Sequence, residues 1–421
     1  MSRRARRVRF IDRPAGAPYY LPMPSTESKP TAGAGSRVVL FFTVFIHLLG
    51  FGIIIPLLPY YAEHFGASGL TVGLLTTSYS LAQFVFAPVW GRLSDRVGRR
   101  PVLLGSLILT GVSYLVFAIA NSLPVLFVSR VFAGIAGATL STAQAYIADT
   151  TTPENRTKGM GLIGAAFGMG FIFGPAMGGV LSKWGFSVPA YAAAGLAAAA
   201  FLFALFRLPE SLLPEERAAA ARRREGAATF QEALRRPVVG LVLTIFFVTT
   251  LCFSGMEAIL ALFCERYFRW GPHQIGYLFA YVGIVAALMQ AGIVGALAKR
   301  FGERALVRAG LFLMGAAFVV AGLVPPLALF LVVMGVIAVG SGLSNPSLSA
   351  LVSLATPADE QGGILGVYQS LGSLGRATGP FLSGLLFDAI SPGAPLWIAG
   401  SVMVITSLVA ARIAPLRRDR S

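Results

Sequence analysis

The sequence predicts an all-α membrane protein in which twelve transmembrane helices form two pseudo-symmetric six-helix bundles. Three observations predict it. Of the 421 residues, 56% are hydrophobic and only 12% charged, with a mean hydropathy of +0.74, so lipid is the chain's main solvent. Apolar runs near the ~20 residues that a bilayer requires recur along the chain with short segments between them. The first and second halves of that series repeat each other at a nearly constant offset.

The runs cover approximately 38-60, 71-91, 101-120, 123-147, 159-182, 189-207, 238-263, 274-297, 305-324, 327-350, 362-387 and 394-413. Residues 1-37 carry Arg3, Arg4, Arg6, Arg7, Arg9 and Arg13 and then five prolines with no apolar core beside them. They read as a disordered basic cytoplasmic tail rather than a signal peptide. The longest inter-span segment, 208-237, contains Pro209-Glu210, Pro214-Glu215-Glu216-Arg217 and an Ala/Arg-rich stretch, as a cytoplasmic linker with an amphipathic helix would. It separates a bundle at 38-207 from one at 238-413, and a short cytoplasmic tail follows at 414-421.

The net charge of +16 does not signal nucleic acid, because the basic residues sit in short clusters between apolar runs. Counted by alternate loops, those clusters give the orientation. The amino-terminal tail, Arg92 to Arg100, Arg156 and Lys158, Arg207 to Arg236, Lys299 to Arg308, and Arg417, Arg418 and Arg420 share one side. The other side holds Lys183, Arg266 and Arg269. Both termini are therefore predicted to be cytoplasmic.

The repeat is carried by glycines and arginines. A shift of 204 lays Gly91, Leu93, Arg96, Gly98 and Arg100 on Gly295, Leu297, Arg300, Gly302 and Arg304. A shift of 205 lays Gly161, Gly170, Gly174, Pro175 and Gly179 on Gly366, Gly375, Gly379, Pro380 and Gly384. Two such halves place a substrate site between them near mid-membrane.

Between spans two and three, Gly91-Arg92-Leu93-Ser94-Asp95-Arg96-Val97-Gly98-Arg99-Arg100 reads as a tight cytoplasmic loop that takes part in gating. Gly91 and Gly98 permit a sharp turn, Asp95 suits a helix N-terminus, and Arg96, Arg99 and Arg100 find a partner acid in Asp149 at the end of span four. The second copy has Lys299 in place of the acid. In span four, helical spacing puts Arg130, Gly134, Gly137, Ser141 and Gln144 on one small, polar face. An arginine inside a span costs at least ~2.5 kcal/mol, so Arg130 should face a polar cavity. Span five carries Gly170, Gly174, Pro175, Gly178 and Gly179, and span eleven repeats Gly379-Pro380. Glycines four apart admit a second helix closely and proline bends the span, so these residues read as a pivot between halves.

The remaining polar residues of the spans are His47, Glu257 and Arg376, with Gln83, Gln290, Asn345 and Gln369. With Arg130 and Gln144 they form the expected pathway for substrate and protons, with Glu257 as the main proton carrier, since an embedded carboxylate is costly without a purpose. Cys252 and Cys264 lie too far apart along one helix to pair. The chain has no phosphate-binding Gly-x-x-x-x-Gly-Lys loop and no His-Glu-x-x-His or Cys-x-x-Cys metal spacing. The expectation is therefore no enzyme, no cofactor and no metal, with energy from a gradient or from the substrate itself.

From about 38 to 413 the chain resembles the major facilitator superfamily. Gly91 to Arg100 is similar to its loop signature, Arg130 with Gly134 to its span-four arginine motif, and Gly170 to Gly179 to the motif that marks drug:proton antiporters. Gly50 to Pro59 and Gly366 to Pro380 look most like the twelve-span tetracycline-efflux branch, which commonly has an aspartate where this chain has His47. The resemblance implies a monomeric secondary transporter in a bacterial inner membrane that exports a small amphipathic compound by proton antiport. An importer or facilitator, or a receptor that does not transport, fits the same fold and stays open.

Overall fold

The computed structural model describes residues 34-151, 153-212, 230-357 and 360-413, and every described element is helical. Both tails and the middle of the linker lie outside the described residues. The first half consists of α1 (Ala34–Ile54), α2 (Leu58–His64), α3 (Gly69–Val97), α4 (Arg99–Ala118), α5 (Leu123–Ile135), α6 (Ala138–Thr150), α7 (Pro153–Leu181) and α8 (Ser187–Arg207). After the linker come α9 (Phe230–Arg235), α10 (Pro237–Phe268), α11 (Pro272–Leu288), a π turn (Met289–Ile293), α12 (Val294–Phe301), α13 (Glu303–Gly322), α14 (Leu327–Leu354), α15 (Gln361–Ala389) and α16 (Ala394–Val409).

Among the described residues, ten helical stretches are long and apolar enough to cross a membrane. The eighth pass is continuous in direction but built from α11, the π turn and α12, and the eleventh is the 29-residue, glycine-rich α15. Together these make the twelve passes that the hydropathy predicts. Pass one bends between α1 and α2 at Pro56, where a proline cannot continue the α1 ladder. Large apolar side chains face outward from the bundles, among them Phe206 (78% exposed) and Leu323 (70%), as a lipid-facing belt requires.

Each half buries most of its core in two main layers, with Tyr60 of the first half packing into the second half's core and Leu262 of the second into the first's. In the first half, Ile53, Leu57, Phe117 and Leu126 pack together in one layer and Leu103, Leu107, Tyr146 and Ala200 in the other. In the second, Phe263, Phe318, Phe330 and Ile337 form one layer and Val307, Leu311, Leu348 and Ile364 the other.

The repeat seen in the sequence is also a repeat of backbone. Gly98 between α3 and α4 has φ +108° and Gly302 between α12 and α13 has φ +80°, a region that residues with a Cβ avoid. These two turns and the described ends of the linker lie on one face of the molecule, the basic face. The expected loop at 91-100 is shorter than the sequence suggests, since α3 continues through Gly91 and Asp95 to Val97 and only Gly98 turns the chain. Asp95 is therefore in the last turn of α3 and does not cap a helix N-terminus, which corrects that expectation.

Candidate functional site

Two seams join the halves, α3 with α15 and α7 with α11. On the first, Gly73 lies against the Pro380 carbonyl, Gly384 against the backbone of Gly69 and Leu70, and the Thr77 hydroxyl donates to the Ala377 carbonyl at 2.7 Å. The free amides at the start of α3 are satisfied from the other half, since Gly69 N–H and Leu70 N–H donate to the two carboxylate oxygens of Asp388 at 3.0 and 2.8 Å. On the second seam, Gly179 packs on Pro272, His273 and Gly276, with the Pro175 carbonyl on Gly276. The Tyr60 hydroxyl reaches across to donate to the Trp270 carbonyl at 2.9 Å. All these contacts lie at the face opposite the basic one or in the middle of the helices. Toward the basic face the seams part, and among the described residues nothing lies within 4 Å of where a Cβ would sit on Gly164, Gly168, Gly292 or Gly366.

Behind this closure lies a cavity of about 90 Å³. Phe51, Ile54, Ile55 and Leu58 supply an apolar wall, Thr76, Tyr79, Ser80 and Ser254 supply hydroxyls, and Arg130, Glu257 and Arg376 supply the charges. Arg130 comes from α5 in the first half, whereas Glu257 on α10 and Arg376 on α15 belong to the second. Arg130 is 4% exposed, with its guanidinium carbon 5.0 Å from the centre of the Phe117 ring, and its Nε and Nη2 have no hydrogen-bond partner among the described residues. Arg376 donates from Nη2 to the Ser373 hydroxyl at 3.1 Å and lies close enough to Glu257 and Tyr79 to interact electrostatically.

Of the nine residues expected on the pathway, the cavity gathers these three charged ones. The six others, His47, Gln83, Gln144, Gln290, Asn345 and Gln369, are not among its lining residues. Helix direction accounts for this. His47 precedes Phe51 by one turn on α1, Gln83 follows Tyr79 by one turn on α3, and Gln369 precedes Arg376 by two on α15, each step leading toward the basic face. Gln83 Nε2 donates to the Tyr79 hydroxyl at 3.5 Å, so Gln83 touches the cavity's edge through that tyrosine. Gln290 sits in the π turn, a local widening often found at functional positions. Tyr79 was not singled out by the sequence. Its one signal is that it stands four residues before Gln83, hence on the same helix face.

The small face expected along 130-144 is not one continuous helix. Pass four breaks at Ala136 and Gly137, and the Ile135 carbonyl instead accepts the Trp90 indole N–H at 2.5 Å. Gly134 and Gly137 pack on Tyr79, Ala82 and Gln83 of α3 and so face a neighbouring helix. In the expected pivot, Gly170, Gly174 and Gly178 seat α1 against α7 within the first half, and Gly379 seats α15 against α10 within the second. Gly179, Pro175 and Pro380 are the members that meet the other half.

On the basic face, Arg99 donates from Nε to Asp149 Oδ2 at 2.8 Å, from Nη1 to Asp95 Oδ1 at 2.5 Å, and from Nη1 to the Ser94 hydroxyl at 2.7 Å. The acid at the N-terminus of α4 is Glu210, which the sequence reading left in the linker. Arg99 N–H and Arg100 N–H donate to its two carboxylate oxygens at 2.8 and 3.2 Å. Arg100 Nη2 also donates to the Leu205 carbonyl at 2.6 Å, while Arg96 is exposed. Every one of these partners lies in the first half or at the start of the linker.

Residues 40–292 and 258–421 match the family model described as Major Facilitator Superfamily. The chain is 34% identical over 380 residues to the "Tetracycline resistance protein, class C" of Escherichia coli, covering 89% of this chain and 96% of the relative. It is 31% identical over 372 residues to "Multidrug resistance protein 2" of Bacillus subtilis (strain 168), covering 87% and 92%. Among solved structures, the human organic anion transporter MFSD10 (TETRAN) superposes with a TM-score of 0.68 at 26% identity, covering 89% of this chain and 99% of that one.

Proposed function

Because the chain belongs to the Major Facilitator Superfamily, and is thus a multi-pass membrane transporter rather than an enzyme, we propose the finer reading that it exports small amphipathic compounds in exchange for protons. One observation carries this reading. A mostly apolar cavity holding a few charges, Arg130, Glu257 and Arg376, lies between two halves that meet on one face and part on the other. By the positive-inside rule the basic face is cytoplasmic, with both termini on that side of a bacterial inner membrane, and the conformation is open inward. The named activities of the tetracycline and multidrug resistance relatives support export and an amphipathic, drug-like or metabolite substrate.

Substrate enters the cavity from the cytoplasmic side and meets charges contributed by both halves. Rocking of the halves moves Arg130 relative to Glu257 and Arg376, so the electrostatic surroundings of the Glu257 carboxyl differ between the two states. That difference lets a proton taken up from outside be released inside while substrate moves the other way. The transporter works as a monomer and needs no cofactor beyond the proton gradient.

The test is flux in proteoliposomes with and without an imposed pH gradient, over a panel of labelled drugs and metabolites, for the wild type and Glu257→Gln. Gradient-driven accumulation in the wild type, lost in the variant at equal protein level, is the expected result. Accumulation retained by Glu257→Gln removes Glu257 from coupling. Downhill flux indifferent to pH makes the protein a facilitator.

A further inference from the structure

The basic ends of the two halves are answered differently. In the first half Arg99 pairs with Asp95 and Asp149, and Glu210 takes the free amides of α4. In the second half Lys299, Arg300, Arg308 and Arg412 are exposed and form no ion pair among the described residues. Glu303 opens α13, where the positive end of the helix dipole favours its charge. Two of the cations stand on faces that look outward from the bundle. Ala305, Arg308 and Phe312 follow helical spacing along α13 and are all exposed, as are Ile405, Leu408 and Arg412 along the last pass. The two helices keep one antiparallel register, with Gly322 against Gly393, Gly315 against Gly400, and Arg304 Nη2 donating to the Ala411 carbonyl at 3.4 Å. That register sets Arg308 and Arg412 within about one helical turn of the same depth, at the basic ends of two adjacent outward-facing stripes. Phe301, at the end of α12, is also exposed, with the Arg300 guanidinium carbon 5.2 Å from its ring centre.

Charges that only set topology are satisfied by water at the tips of loops. An arginine that ends a lipid-facing stripe is placed differently, because its stem lies along acyl chain while its guanidinium reaches the depth of the phosphates. Two such groups side by side suit a phosphate, to which a guanidinium donates in bidentate fashion. We infer that the basic ends of α13 and α16 bind the headgroup of an anionic phospholipid from the adjoining leaflet, its phosphate held by Arg308 and Arg412 and its acyl chains lying along Phe312, Ile405 and Leu408. Lys299 and Arg300 add positive potential and favour a net-negative headgroup over a zwitterion. The bound lipid supplies the second half with the anion that Asp95 and Asp149 supply to the first. The site is on the outside of the bundle and is independent of what the cavity carries.

The test is native mass spectrometry of the full-length protein released from detergent micelles, titrated with dioleoylphosphatidylglycerol or dioleoylphosphatidylcholine and read as retained lipid. Phosphatidylglycerol is expected to bind at least about tenfold more tightly, since each cation near the headgroup contributes roughly fivefold. Arg308→Gln and Arg412→Gln should each lower that preference about fivefold, and together erase it. Arg92→Gln combined with Arg96→Gln, which removes two exposed charges from the basic end of the first half, should leave it intact. No preference in the wild type, a preference that survives loss of both Arg308 and Arg412, or equal losses from the two pairs of substitutions overturns the assignment. Inorganic phosphate that displaces the lipid and depends on the same two arginines makes the site one for free phosphate and also overturns it. All four positions are exposed, so the variants are expected to fold, and the comparison of lipids on the wild type stands without them.

Discussion

The two faces of the molecule are held together in different ways. On the face opposite the basic loops, polar contacts run between the halves: Asp388 caps α3 from across the seam, Tyr60 donates to Trp270, and Gly73, Gly179 and Gly384 bring backbone against backbone. On the basic face the contacts run within a half. Arg99 ties Asp95 to Asp149, Glu210 caps α4, and in the second half Arg236 pairs with Glu360. The difference teaches where a rocking transporter must be rigid and where it must let go. In this state each half is a body braced at the basic face, and the bond between bodies is at the other.

The repeated loops sharpen the point. Gly98 and Gly302 make the same turn, yet the first copy buries Asp95 against Arg99 whereas the second has Lys299 at the acid's position. The backbone device is symmetric and the electrostatic brace is not, so the first half should depend on its loop far more than the second.

The largest expected effect tests that asymmetry. Arg99→Ala removes the Arg99 bonds to Asp95, Asp149 and Ser94 in a site where Arg99 is 5% exposed, and should cost about 3–5 kcal/mol of stability. The readout is a lowered thermal unfolding midpoint of the purified protein, with Lys299→Ala as the control expected to do little. Equal effects of the two would break the comparison. A smaller effect is expected at the seam. Gly73→Val drives a side chain into the Pro380 carbonyl and should disfavour closure by about 1–3 kcal/mol, slowing flux while the protein stays folded. Gly168→Ala on the parted side, with nothing within 4 Å among the described residues, should leave stability within about 0.5 kcal/mol and slow flux only if the basic seam closes around it.

Much of this was legible in the sequence, for physical reasons that differ by feature. The twelve passes were legible because bilayer thickness imposes a length, and pass eleven shows the limit, its glycines and Arg376 diluting a helix that crosses all the same. Arg130, Glu257 and Arg376 were legible because charge inside a span is costly, and the cavity gathers all three. Asp388 and Glu210 were not, since a carboxylate that caps a helix from more than a hundred residues away leaves no local pattern. The break at Ala136 and Gly137 was hidden for the same reason, its freed carbonyl being taken by Trp90 from another pass. The polar residues not in the cavity, such as His47 and Gln369, carry the right chemistry one or two turns too near the basic face, and depth along a helix is what residue type alone does not encode.

The central claim is that the opposite face opens as the basic face closes, and Asp388 is its most direct lever. Asp388→Asn weakens the cap on α3 by about 1 kcal/mol, roughly fivefold in the population of the closed face. Pulsed electron–electron spin distances in nanodiscs would follow one label pair on the opposite face, at the exposed Lys183 and Ile390, and one on the basic face, at the exposed Val97 and Phe301. In Asp388→Asn the first distance should gain a longer population while the second gains a shorter one. Two distances that stay fixed, or that lengthen together, would contradict the account.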